Sequence, residues 1–326
     1  MRVAVNWSGG KDSVLACYNA VVQGYEVSAL INFVFTDFVH SRPNPVKFSS
    51  VLKYMIEDHS SSSIQNTPHK IAMLSSLALR EVTKYTPTQV VAPVKYVFDT
   101  VGKHVPHQVS TIVGAVRINA SRRMVPHEVQ PELVAMQAQA MGVPIIQIPL
   151  TWVDFEAKFK EAIRNMDPKD VEGGVVWGMI PPDEVLDHSR KMKKFMNLEV
   201  QYDYIYKISD NVGVKALMPL IGKTGDQILC ELVDNNFEVL VSVVNPDFVD
   251  EKWLGHRIDQ DFITYMRKLN ADEGINLVGD EFHSFVADCP LFKKRIKVIE
   301  SKKVSKDGYS TLEISKAELV AKDVSS

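Results

Sequence analysis

The sequence predicts an α/β protein built on a doubly wound parallel sheet, with a smaller α+β region toward the C-terminus and an insertion after the second strand. Three observations carry that expectation. The first 35 residues read as strand, glycine-containing loop, helix and strand, the βαβ opening of a parallel sheet. Strand and helix patterns alternate again from Pro131 onward. The 326 residues are 45% hydrophobic and 24% charged, with only 16 Gly and 16 Pro, which provides a core and excludes a disordered or collagen-like chain.

Each element follows from local chemistry. Arg2 to Asn6 is a short β-rich run. Asp12-Ser13 followed by Val14, Leu15, Cys17, Tyr18, Val21 and Val22 reads as a helix stopped by Gly24, and Val27 to Phe35 is the second strand. Residues 38–115 fit no βα alternation and are taken as an insertion, with a helix predicted from Lys70 to Tyr85. Their histidines, His40, His59, His69, His104 and His107, are spaced too irregularly to favour a metal site over surface or packing roles.

Order returns with Pro131 at a helix first turn, Leu133, Met136, Gln137 and Ala140 along one face, and Gly142 as the stop before a strand at Ile145 to Ile148. A helix over Phe155 to Asn165, a strand at Val175 to Trp177 ending at Gly178, a helix from Asp183 to Phe195 and a brief strand at Val214 to Leu217 follow. Thr224-Gly225-Asp226-Gln227 has the spacing of a capping box and opens a helix to Asn235. The remaining elements are a strand at Phe237 to Val244, a helix at Asp259 to Leu269 and a strand at Ser284 to Asp288. Residues 301–326 read as a charged tail.

Charge and cysteine usage narrow the function. Forty acidic against 37 basic side chains give a net charge of −3, which argues against a nucleic-acid partner. The first 150 residues hold 13 basic and 9 acidic groups, a surplus that suits a bound polyanion. Cys17, Cys230 and Cys289 are far apart, so neither a disulfide framework nor a thiolate metal site is expected. No segment approaches the roughly 18 apolar residues of a membrane span, and the opening apolar run is too short for a signal peptide. The expected location is the cytoplasm.

The strongest chemical signal is Ser8-Gly9-Gly10-Lys11-Asp12-Ser13, between the first strand and the first helix. Adjacent glycines let backbone approach a ligand closely, the helix N-terminus aims free N–H groups at the same spot, and Lys11, Ser8 and Ser13 add donors. That is a phosphate site. Two competing loops fail: Gly222-Lys223-Thr224 lacks the upstream glycine of G-x-x-x-x-G-K-[ST], and Gly9-Gly10 cannot supply G-x-G-x-x-G.

The SGGKDS segment resembles the pyrophosphate loop of the N-type ATP pyrophosphatases, which cleave ATP between its α- and β-phosphates. Three further segments resemble the diphthine–ammonia ligase family. One is Pro126-His127-Glu128-Val129 with Gln137-Ala138-Gln139-Ala140-Met141-Gly142-Val143-Pro144. The second is Trp253-Leu254-Gly255-His256-Arg257-Ile258-Asp259, in which His256 is an addition to the family pattern. The third runs from Gly279-Asp280-Glu281-Phe282-His283-Ser284 through Asp288 to Pro290, departing from the family in the residues before Glu281.

The resemblance implies a pyrophosphatase domain at 1–37 and 116–220 and a substrate-binding region at 221–300. It implies ATP and Mg²⁺ as cofactors, with ATP held by Ser8, Gly9, Gly10, Lys11, Asp12, Ser13 and Gly178. Lys11, Asp12 and Glu281 are the candidate catalytic residues, Asp12 also serving the metal. Trp253, Glu281 and His283 are the candidate acceptor residues, for Trp253 and its aromatic neighbours Phe282 and Phe285 could attract the trimethylammonium group of diphthine. The implied reaction joins ammonium to the diphthine carboxylate of elongation factor 2, with ATP converted to AMP and pyrophosphate. Two alternatives stand beside it, a tRNA-modifying thiolase or amidotransferase on the same loop, and a nucleotide sensor without turnover.

Overall fold

The computed structural model describes residues 1–35, 129–150, 154–179, 205–279, 281–306 and 308–322. All belong to one of the two compact units into which the chain divides. The expected insertion, the helices at Lys70–Tyr85 and Asp183–Phe195, and His127, Glu128 and Asp280 lie outside the described residues.

β1 (Arg2–Asn6), β2 (Glu26–Phe35), β3 (Ile145–Leu150), β4 (Gly174–Val176) and β5 (Ala216–Leu217) form a five-stranded sheet in the order β3-β2-β1-β4-β5. Every pairing in it is parallel. The order reverses at β1, with β2 on one side and β4 on the other, so the carboxyl ends of β1 and β4 flank the switch point where such sheets bind ligands. The central strand is apolar in an unbroken run because helices cover it: Val3, Ala4 and Val5 are fully buried. Pro149, which has no N–H, is tolerated in β3 because that strand is an edge.

The helices close where their chemistry dictates. α1 (Lys11–Val22) ends before Gly24, which adopts φ +90°. α2 (Pro131–Met141) begins on proline and ends at Gly142 with φ +76°. α3 (Phe155–Arg164) packs Phe159 against Trp177, ring centroids 5.2 Å apart. The capping box at Thr224 is complete: its Oγ1 accepts from the Gln227 N–H at 3.1 Å, while Gln227 Oε1 accepts from the Thr224 N–H at 2.8 Å. It opens α4 (Gly225–Asp234).

A second, antiparallel sheet follows, in the order β7-β6-β9-β8. It comprises β6 (Glu238–Val244), β7 (Phe282–Asp288), β8 (Lys294–Lys306) and β9 (Tyr309–Ala321), with α5 (Gln260–Glu273) between β6 and β7. α5 takes Asp259 as its N-cap and runs a turn past Leu269 to Gly274, which adopts φ +68°. The charged tail expected at 301–326 is corrected here, since β8 and β9 pair as a long antiparallel hairpin from Lys294–Ala321 to Lys306–Tyr309. Its charges alternate with Ile296, Val298, Leu312 and Ile314, the period of a strand with one covered face.

The two sheets share one apolar cluster. Val3 and Val5 of the first and Leu15 of α1 belong to it together with Val239, Val241, Phe282 and Phe285 of the second. Each such buried side chain contributes roughly 1.5–3 kcal/mol, and their continuity fixes β7 beside the start of α1.

Candidate active site

The glycine-lysine loop sits at the carboxyl end of β1, at the switch point of the parallel sheet. Gly9 adopts φ +80°, the left-handed conformation that carries the chain from strand to helix. Gly10 is the N-cap of α1 and supplies no side-chain cap, so the first-turn amides have no partner within the helix itself. Ser8 and Ser13 bind each other across the loop, Oγ to Oγ at 3.0 Å, and Ser13 Oγ donates to the Gly10 carbonyl at 3.1 Å.

Lys11 is the unexpected member. Its side chain is only 3% exposed; its Nζ lies 3.0 Å from Asp12 Oδ2 and 4.9 Å from the centroid of the Phe282 ring. The ammonium therefore sits beneath the loop, sandwiched between a carboxylate and an aromatic face. Gly178 crosses the first turn of α1 so closely that a Cβ there would lie 2.7 Å from the Ser13 nitrogen and 2.8 Å from the Asp12 carbonyl carbon. A side chain at position 178 would therefore collide with the backbone of α1.

β7 lies directly on the loop. Ser284 Oγ accepts from the Lys11 N–H at 3.1 Å, and the Val286 N–H donates to the Gly9 carbonyl at 3.1 Å. Gln137 of α2 donates to the same Gly9 carbonyl at 2.9 Å and to the Val286 carbonyl at 2.8 Å, while accepting from Trp7 Nε1 at 2.8 Å. Asn32 of β2 holds the other side, donating to the Trp7 carbonyl at 2.9 Å.

The distal candidates divide. Glu281 precedes Phe282, and its backbone carbonyl accepts from the Asn245 N–H at 2.9 Å. Its carboxylate lies over Gly279, where any Cβ would overlap Oε2. His283 stands on the face of β7 opposite Phe282 and Ser284, because successive strand residues alternate. Trp253 packs edge-on to Phe262 at 5.2 Å and carries the Lys252 ammonium over its ring at 5.6 Å. Phe282 and Phe285 are core residues, 0% and 1% exposed, and form no open aromatic cage.

The Trp253–Asp259 segment borders β6. Gly255 donates to the Val241 carbonyl at 2.8 Å, Val241 to that of His256 at 2.9 Å and Ile258 to that of Val239 at 2.7 Å. Arg257 Nη2 donates to the Phe237 carbonyl at 2.9 Å. Much of that motif is therefore architecture, an irregular partner for the stretch of β6 that β9 leaves uncovered.

Sequence reasoning missed Ser284 and Asn32 as loop supports and took Gln137 for a face-lining residue. A glutamine on the apolar face of α2 was the available signal, since a fully buried amide must find several partners.

The fold and the loop define an α/β protein with a glycine-lysine turn at the topological switch point of its parallel sheet. The diphthamide synthase N-terminal domain matches residues 1–42, and the diphthamide synthase C-terminal domain matches residues 224–320. The chain is similar to the two domains of this family over less than half of its length. It is similar to the diphthine–ammonia ligase of Bos taurus, 25% identical over 188 residues that cover 53% of this chain and 64% of the relative. The Rattus norvegicus enzyme of the same name is 24% identical over 187 residues, 52% and 64% of the two chains. The Homo sapiens one is 27% identical over 103 residues, 31% and 38%. The chain thus spans just under two thirds of the length of the first two relatives.

Proposed function

We propose that this protein amidates diphthine on elongation factor 2, using ammonium and cleaving ATP to AMP and pyrophosphate. The observation that carries the reading is the seating of β7 on the SGGKDS loop, which brings the two family domains together at one point. In this reading the backbone amides of Gly10, Asp12 and Ser13 hold the leaving pyrophosphate, the Lys11 amide being held by Ser284, and the α1 dipole adds to their attraction. Donors fixed in advance of the reaction contribute several kcal/mol of barrier lowering, on the order of a lost oxyanion donor.

Lys11 acts from beneath the loop. An incoming phosphate competes with Asp12 for its ammonium, so nucleotide binding trades the 3.0 Å ion pair for a Lys11–phosphate contact. That exchange takes the Lys11 ammonium away from the Asp12 carboxylate. Among the described residues no group of three or more His, Cys, Asp or Glu forms a metal cage. Mg²⁺ would enter as the partner of ATP, and Asp12 is the carboxylate beside the loop that would help hold it. The ion would neutralise charge on the polyphosphate. Glu281 orients the acceptor or the ammonium next to the loop, and Trp253 and His283 line the acceptor side.

Among the described residues no helix is long and apolar enough to cross a membrane. The cytoplasm, where elongation factor 2 works, is the location this reading requires. The test is product analysis with diphthine-bearing elongation factor 2, ammonium and ATP. AMP formation that depends on the acceptor is expected. ADP as the nucleotide product, or AMP formation indifferent to the acceptor, refutes the assignment.

A further inference from the structure

We infer that Gln137 is a positioning residue for the phosphate loop, locking the Gly9–Gly10 peptide in the one orientation that presents the Gly10 N–H to an anion. The inference rests on the reading of the loop as a phosphate site and extends it to a residue on a different helix.

Gln137 occupies the buried face of α2 among Leu133, Val134 and Ala140, where an aliphatic side chain would satisfy packing. It is 0% exposed, and burying an amide there is costly unless its polar atoms are paired. They are paired, and every partner belongs to the loop or to the strand seated on it. Nε2 donates to the Gly9 carbonyl at 2.9 Å and to the Val286 carbonyl at 2.8 Å; Oε1 accepts from Trp7 Nε1 at 2.8 Å. The Trp7 bond sets which end of the amide faces the loop.

The consequence follows from peptide geometry. In a trans peptide the carbonyl and the following N–H point in opposite directions. The Gly9 carbonyl is held inward by two donors, the Gln137 amide and the Val286 N–H at 3.1 Å. The Gly10 N–H must therefore point away from them, where it meets only a long 3.4 Å contact with Ser8 Oγ. Two adjacent glycines place little steric restraint on that plane, so without the inward anchors it could rotate and turn a carbonyl oxygen toward the phosphate. The lock also explains the residue at position 9: a Cβ there would approach Gln137 Oε1 to 2.8 Å.

Equilibrium binding of pyrophosphate and of AMP to the full chain tests the assignment. Gln137→Met keeps the length of the side chain and removes all three hydrogen bonds. It should weaken pyrophosphate binding about tenfold or more, equivalent to about 1.4 kcal/mol, and leave AMP within about threefold of wild type. Trp7→Phe keeps both amide donors but loses the bond that orients them, and should show the same selectivity at smaller size; it carries the test should Gln137→Met fail to fold. Purely structural damage would lower the folded fraction and leave the ratio of the two affinities unchanged. An unchanged ratio in folded variants overturns the lock and leaves the phosphate site standing. Absence of pyrophosphate binding in wild type overturns the phosphate reading itself, and the lock with it.

Discussion

Gly178→Ala should damage nucleotide binding and stability together. The added methyl would sit 2.7 Å from the Ser13 nitrogen and 2.8 Å from both the Ser13 Cα and the Asp12 carbonyl carbon. Those are backbone atoms in the first turn of α1, so no flexible side chain can yield, and either the helix start or the end of β4 must move. Overpacking of this kind costs roughly 1–3 kcal/mol. At about 2–4 °C per kcal/mol for a unit of this size, the melting temperature should fall by several degrees. Because the atoms displaced include the amide of Ser13, ATP affinity should drop by about tenfold, or about 1.4 kcal/mol. Gly24→Ala is the matched control: Gly24 has φ +90° and nothing within 4 Å of the added methyl. Its left-handed backbone should cost about 1–2 kcal/mol without touching the site. Calorimetric ATP titration and thermal unfolding of the two variants are the measurements. A Gly178→Ala protein that binds ATP as wild type does would show that the close approach of β4 to α1 has no part in the nucleotide site.

Other outcomes follow from the same geometry. Lys11→Ala should weaken ATP binding and AMP formation together, since its charge acts on the polyphosphate before and during cleavage, whereas Glu281→Gln should spare ATP affinity and lower acceptor-dependent turnover by about tenfold; normal turnover of the latter would remove Glu281 from the site. Asp226 is held below the usual carboxylate range, chiefly by its hydrogen bond to Arg267. The contribution of that pair is accordingly present at neutral pH and fades as pH falls through and below about 4, and a double-mutant cycle read by urea unfolding should give no more than about 1 kcal/mol at pH 7. Burial raises the Cys17 thiol and pushes Cys289 up to about 12. Alkylation of the native protein near pH 8, mapped by mass spectrometry, should therefore reach Cys230 first and modify Cys17 and Cys289 only on unfolding.

Local chemistry was legible along the chain wherever a residue's role is set by its immediate neighbours. The β1-loop-α1-β2 opening, the proline start and glycine stop of α2, and the capping box at Thr224 all involve partners within a few residues. Those interactions are written in the spacing itself. The SGGKDS loop belongs to the same class, because its amides, glycines and helix dipole are one continuous stretch.

What the tertiary structure decided are the contacts between residues far apart in sequence. Nothing in Lys11 announced that its ammonium would be buried between Asp12 and Phe282, more than 270 residues further on. Phe282 and Phe285 looked suited to a cationic ligand, but one shared core placed them inside it. Residues 301–326 looked like a tail because their charge is high, yet half of each strand of a two-sided hairpin faces water and needs no apolar residue. Gln137 and Ser284 show the limit most clearly. A glutamine or serine in isolation carries no direction, and only the packing of α2 and β7 against the loop determines which carbonyl or amide each one holds. The sequence alone determined that a glycine-lysine turn joins β1 to α1 and what it is made of; the tertiary structure decided what grips that turn, because rigidity at a backbone of two adjacent glycines must come from outside it.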